Sequence, residues 1–164
     1  MNETYVECLV QQKSSGLYRF LKGLLIVVAA ICGVLMLVIP FVFLLTLAAA
    51  VGIYFVNLQT EIEYEYLYLD KELVIDKVMA KSRRKRVATY SLSRIEILAP
   101  IKSYHLDNFK HRDVKVKDYS VGEELKPDRR YVMYYEGGEK VLLNPSDELV
   151  KAMKTLAPRK IFND

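Results

Sequence analysis

Two groups of residues have types and spacings that could do chemistry. Lys81, Arg83, Arg84, Lys85 and Arg86 put five bases into six positions, a density suited to anionic lipid headgroups. His105, Asp107, His111 and Asp113 alternate so that one loop could fold around a metal ion. The chain has no other histidine and no cysteine near them, so exposed loop residues are the simpler reading and no resident metal is expected. A phosphate-cradling glycine loop, an HExxH pair and a GxSxG elbow are all absent. Ser91 and Ser93 have no evident base partner, and Gly137-Gly138 reads as a turn. The sequence therefore predicts no catalytic residue, no enzyme activity and no cofactor.

What must position the basic run is a long apolar stretch upstream of it. Gly23 to Leu58 contains no charged residue and is broken only by Pro40. As one helix it would reach roughly 54 Å, well beyond a hydrocarbon core of ~30 Å. Pro40 removes a backbone donor near the middle, so two spans joined at Ile39-Pro40-Phe41 are expected, a transmembrane hairpin over residues 18–58. A signal peptide would be shorter and would start earlier, and a buried soluble hairpin would leave little chain to cover it.

Charge gives the expected orientation. Lys13, Arg19 and Lys22 precede the first span, and Lys71, Lys77 and the basic run follow the second, while the turn between the spans has no Lys or Arg. The positive-inside bias then puts both ends in the cytoplasm of a two-pass cell-membrane protein. Tyr18, Phe20, Tyr54 and Phe55 are candidates for the interfacial aromatic belt.

With 164 residues in all, the anchor leaves roughly one hundred, enough for one small domain. The net charge of +4 is mild, so its local concentration at residues 81–86 matters more than its sum. Cys8 and Cys32 form neither a disulfide framework nor a metal cluster. Cys32 reads as a packed thiol; Cys8, ahead of the first span, reads as a plain thiol or a lipidation site.

Residues 1–17 form a separate cytoplasmic segment in which Tyr5, Val6, Leu9 and Val10 suggest a short interfacial helix. After a linker at Asn57 to Thr60, Glu61 to Leu69 alternates almost perfectly. Ile62, Tyr64, Tyr66 and Tyr68 share one face, with Glu61, Glu63 and Glu65 on the other. Asp70-Lys71 turns the chain into a second strand, Glu72 to Met79, with Tyr68 opposite Leu73, Tyr66 opposite Ile75 and Ile62 opposite Met79. Further strands are expected at 86–90, 94–99, 114–119, 130–135 and 139–143, and a loop at 100–113. A C-terminal helix is signed by Asn144 as cap, Pro145 at the first helical position, and an apolar face of Leu149, Val150, Met153, Leu156 and Ala157.

Tyr66 to Ile75 resembles the opening hairpin of bacterial pleckstrin-homology-like (PH-like) domains, and Lys140 to Glu148 resembles their last strand and helix start. The whole chain is similar to a family of small bacterial membrane proteins of unknown function. The resemblance implies an α+β fold: an N-terminal transmembrane hairpin, then, over residues 59–164, a PH-like domain of about seven antiparallel strands in two bent sheets capped by a C-terminal helix. It also implies binding of lipids or proteins and no catalysis. Inositide-binding members use a basic first loop, but here that loop is Asp70-Lys71, and the bases come one loop later.

Connectivity gives that later loop a meaning. The first strand leaves the second span and the next strand returns, so residues 80–86 should come back to the bilayer, where Lys81, Arg83, Arg84, Lys85 and Arg86 would meet anionic headgroups. The alternative is that these bases are solvated or pair with Glu61, Glu63 and Glu65. A nucleic-acid partner is not expected, because a membrane flank already accounts for the charge and no base-stacking motif accompanies it. The expected role is a membrane-anchored binding or scaffold protein that touches lipid and presents a surface to a protein partner. The other reading is an accessory subunit docking into a larger membrane complex through spans carrying Gly23, Gly33, Ala48 to Ala50 and Gly52.

Overall fold

The computed structural model describes residues 5–12, 14–122, 127–136 and 138–164. Lys13 of the expected basic flank and Gly137 of the expected glycine turn lie outside the described residues. The chain forms two compact units, one built around residues 13–62 with 79–83, the other from residues 1–12, 63–78 and 84–164.

The first unit is a helical hairpin. Helix α1 (Gly16–Leu35) and helix α2 (Val42–Thr60) have 20 and 19 residues, long and apolar enough to cross a membrane. The break at Pro40 falls where the sequence predicts it, and Ile39 N–H to Leu35 O (2.9 Å) and Phe43 N–H to Pro40 O (3.1 Å) close the turn. Near the other end Lys22 Nζ donates to Asn57 Oδ1 across the pair at 2.6 Å. Most large side chains of both helices, from Leu17 to Phe55, are exposed rather than packed. Helix α2 continues through the expected linker to Thr60, because Asn57 O accepts from both Thr60 Oγ1 (3.0 Å) and Glu61 N–H (3.4 Å), which satisfies the last turn.

The second unit holds two four-stranded sheets. Residues 6–12, expected to be helical, instead form strand β1 (Val6–Gln12) at the edge of the first sheet. Val6, Cys8 and Val10 are the less exposed positions and Tyr5, Glu7, Leu9 and Gln11 the more exposed, a period of two. So short a helix has little stability alone, whereas a sheet edge offers ready hydrogen bonds. Strands β2 (Ile62–Leu69), β3 (Glu72–Met79) and β4 (Arg83–Ser91) complete this sheet in the order β1-β2-β3-β4.

Two tight turns fix that sheet. Asp70 and Lys71 have φ of 51° and 64°, and Ala80 and Lys81 have 46° and 54°, the paired positive values of a type I′ hairpin turn. With a two-residue turn at 70–71, Tyr68 faces Leu73 and Tyr66 faces Ile75, as the sequence predicts. The bond from Ala80 N–H to Glu61 O at 2.8 Å fits the same register at the far end.

The second sheet runs in the order β5-β7-β8-β6, from strands β5 (Ile95–Pro100), β6 (Lys115–Asp118), β7 (Tyr131–Tyr135) and β8 (Glu139–Leu143). Strand β6 pairs with β8 in parallel, a departure from the all-antiparallel expectation, and β1 raises the strand number to eight. Within the expected loop at 100–113, Tyr104–Phe109 form a 3-10 helix whose cap is Ser103 Oγ accepting from His105 N–H. Helix α3 (Asp147–Leu156) packs on β1 and is capped by Ser146, whose Oγ accepts from Leu149 N–H at 3.3 Å. The cap is thus two residues later than expected, because Asn144 Oδ1 instead accepts from Val121 N–H at 2.9 Å. Beyond α3, Leu98 N–H donates to Lys160 O and Phe162 N–H to Leu98 O, both at 2.8 Å, which ties the C-terminal segment to β5.

The core is rich in tyrosine. Tyr64, Tyr66 and Tyr68 of β2 are buried with Leu73 and Ile75 of β3, and with Leu98, Met133, Leu149 and Met153 from the rest of the unit. Tyr66 OH donates to Tyr119 O at 2.6 Å and accepts from Asn144 N–H at 3.2 Å, so its buried hydroxyl is fully used.

Candidate functional site

The basic run is built partly as a turn and mostly as a strand. Lys81 sits in the second I′ turn, and Arg83 to Arg86 open β4 rather than lying in a loop before it. All five bases are exposed. The turn belongs to the unit of the helical hairpin, and Ala80 N–H bonds the carbonyl of Glu61, the residue directly after α2. The bases therefore begin one turn residue away from the end of an apolar helix.

Their charges are not equivalent. Arg84 Nη2 lies 2.9 Å from Glu65 Oε2, and Arg86 Nε lies 3.5 Å from Asp76 Oδ1, the latter too long for a good hydrogen bond. Lys81, Arg83 and Lys85 have no ion-pair partner among the described residues. Three full charges and two shared ones thus face outward on one short segment. Each base would contribute about 1 kcal/mol beside an anionic leaflet, less as salt rises.

The carboxylates that hold the two arginines are the surprise of this sheet. The alternation in β2 assigns Glu65 to a solvated face, yet its side chain is only 2% exposed, and Asp76, opposite it in the hairpin, is buried too. Burial first, and then a hydrogen bond with Glu7 of β1, push the Glu65 carboxyl above its ordinary range. That same bond with Glu65 is the main cause holding Glu7 below the ordinary range. Burial and the neighbouring Glu7 thus favour the neutral form of Glu65, and the neighbouring Glu65 favours the ionised form of Glu7. Arg84 Nη2 donates to Glu65 Oε1 at 3.0 Å, so this side chain links β2 to β4.

Comparison with known families matches residues 2–163 to the family described as Bacterial PH-like domain (DUF6106). The chain belongs to this family. The match takes in the two apolar helices as well as both sheets, so the hairpin is part of what the family description covers. No curated protein and no solved structure matches the chain.

In this PH-like protein the histidine segment is structural. The His105 ring stacks on Phe162 with centroids 3.7 Å apart and also contacts Tyr104 at 4.0 Å. Asp107 pairs with Lys110 at 2.5 Å, and His111 and Asp113 are exposed. Among the described residues no three His, Cys, Asp or Glu side chains come close enough to hold a metal ion. Cys8 turns toward Asn144 O, with Sγ at 4.0 Å, and Cys32 is buried. Sequence reasoning offered Glu65 as one of three acids that could pair with the bases, and the structure gives it to Arg84; it missed Asp76 as the partner of Arg86. The signal was the hairpin register itself, which sets two acids opposite each other directly before a run of bases.

Proposed function

We propose that this protein is a two-pass membrane-anchored binding module without catalytic activity, whose basic segment at residues 81–86 rests on anionic lipid while the PH-like domain offers a surface to a protein partner. The observation that carries the reading is the bond from Ala80 N–H to Glu61 O (2.8 Å), which joins the basic turn to the residue that ends an apolar helix. In a bilayer that helix end would lie at the interface, within reach of headgroups.

Connectivity supports the two-pass topology independently of charge. Strands β1 and β2 are neighbours in one sheet, and the entire helical hairpin lies between them in the chain. A folded domain stays on one side of a membrane, so the segment between its strands must cross an even number of times. Arg19 and Lys22 at the entry, against no Lys or Arg in the turn at 36–41, favour the cytoplasm for that side. The exposed apolar surface of both helices supports lipid as their surroundings.

The test is the full chain in nanodiscs carrying a gadolinium-chelating lipid, with relaxation measured at residues 81–86. We expect strong enhancement with anionic lipid, loss at high salt, and loss when the five bases are changed to Gln. Equal enhancement in zwitterionic discs, or no dependence on salt, would remove lipid contact from the reading. Docking as a subunit of a larger complex is the second reading. A Cβ at Gly23 or Gly33 would meet nothing within 4 Å, so neither glycine is used in packing the hairpin and both are open to another helix. Stoichiometric partners on purification in mild detergent would favour it.

A further inference from the structure

We infer that the cleft between the end of α3 and the first hairpin turn of the sheet binds an aliphatic carboxylate, with the chain on an apolar floor and the carboxylate at a cationic rim. The cleft has a volume of about 500 Å³ and lies wholly within the PH-like unit. That size is typical of small-molecule sites, which span about 300–1,000 Å³.

Its floor is apolar: Leu92 is buried beneath it, while Leu156 and Pro158 stand exposed at its wall. Leu156 was expected on the packed face of α3, yet it is 51% exposed, whereas Leu149, Val150 and Met153 are covered. The last turn of α3 therefore turns an aliphatic side chain toward the cleft rather than into the core.

Its rim is cationic. Lys71, Arg159 and Lys160 line it, and no acidic side chain does so among the described residues. Lys160 Nζ already donates to Ser93 O at 2.7 Å, so it contributes charge more than a free donor. Lys71 and Arg159 have no ion-pair partner among the described residues and remain available to a carboxylate. The three bases outweigh the partial negative charge at the C-terminal end of α3, which by itself would repel an anion. An alkyl ammonium would meet like charge, and an uncharged alcohol would leave the rim unused. Complementarity thus selects one headgroup sign.

The test uses the full chain in zwitterionic nanodiscs with methyl-labelled leucine, titrated with hexanoate, 1-hexanol and hexylammonium. Hexanoate should move the Leu92 and Leu156 methyls saturably and leave Leu24 and Leu44 of the apolar helices unmoved. The double variant Lys71→Gln, Arg159→Gln should weaken binding by about tenfold, the loss of a charge-assisted contact. Unchanged methyl signals of Leu73 and Leu98 would verify its fold, and Lys71→Arg with Arg159→Lys should restore binding. The inference falls if hexanol or hexylammonium moves the same methyls equally, if the Gln variant binds hexanoate as the parent does, or if hexanoate moves nothing. It also falls if an acidic leucine-rich peptide moves these methyls where hexanoate does not, since the cleft would then be a peptide surface.

Discussion

The two faces of strand β2 carry the same period and opposite chemistry. On one, Tyr64, Tyr66 and Tyr68 are buried, with Tyr66 anchored by bonds to Tyr119 and Asn144. On the other, Glu65 is buried as deeply, but among ionisable groups: Glu7, Arg84 and, opposite, Asp76 with Arg86. Apolar burial on the first face is insensitive to pH and salt, and loses stability when atoms are removed. Burial of ionisable groups on the second contributes less and depends on their protonation. One strand thus serves both as the main beam of the core and as the holder of Arg84.

The largest effect should come from the first face. Tyr66→Ala removes a fully buried ring and strands Asn144 N–H, and we expect about 3–5 kcal/mol of destabilisation. Tyr66→Phe keeps the ring and loses only the hydroxyl's bonds, for about 1–2 kcal/mol. Urea unfolding of the full chain in detergent, followed by tyrosine circular dichroism, measures both. A Tyr66→Phe loss equal to that of Tyr66→Ala would mean that the hydroxyl, not the packing, holds this face.

How legible each face was in the sequence follows the same division. Tyr64, Tyr66 and Tyr68 alternate in one hydrophobic stripe, and their pairing with Leu73 and Ile75 needs nothing beyond the period of a strand. The break at Pro40 and the antiparallel pairing of β7 with β8 were equally plain, because proline and glycine act through local backbone chemistry. Glu65 looked solvated because the strand that lies beside β2 is β1, whose Glu7 stands fifty-eight positions earlier in the chain and on the far side of the helical hairpin. Strand β1 was misread for a related reason: Val6, Cys8 and Val10 alternate over too short a span to outvote a helical reading until β2 lies beside them. The basic run was evident as charge and Glu65 was one of three acids offered to it, whereas the choice of Glu65 for Arg84 and of Asp76 for Arg86 was visible only once the register was known.

The second face should show a pH dependence that the first lacks. Glu65 is raised in the folded state, so its contribution is full below the ordinary carboxylate range and is lost as pH rises through its raised value. Glu7 is lowered, so its contribution is full above that range and is lost as pH falls through its lowered value. The pair is therefore most stabilising between the two values, and stability should decline as pH rises above the ordinary carboxylate range. Glu65→Gln keeps a donor for Glu7 and an acceptor for Arg84 without needing a proton. It should flatten that decline and make the variant the more stable form at pH above the raised Glu65 value, by about 1 kcal/mol. A wild-type slope that persists in the variant would assign the dependence to other groups.

The smallest effect should separate the faces from the turns that join them. Asp70, Lys71, Ala80 and Lys81 adopt left-handed backbone that non-glycine residues enter at a penalty, so both I′ turns are held by the strands they connect. Asp70→Asn with Lys71→Gly supplies the preferred residues of this turn and should stabilise by about 0.5–1 kcal/mol, whatever the pH. Ala80→Gly should give a similar gain in the other turn without altering its charge. The Lys71→Gly change also removes one rim base of the cleft beside α3, so it should weaken hexanoate binding there, while Ala80→Gly should not. If both variants gain stability equally and only the first loses the ligand, the turns are interchangeable as hinges of the sheet and differ in what their side chains face. If Ala80→Gly alone fails to stabilise, then its loss of a methyl contact outweighs the relief of strain, and the turn beside Glu61 is packed as well as bonded.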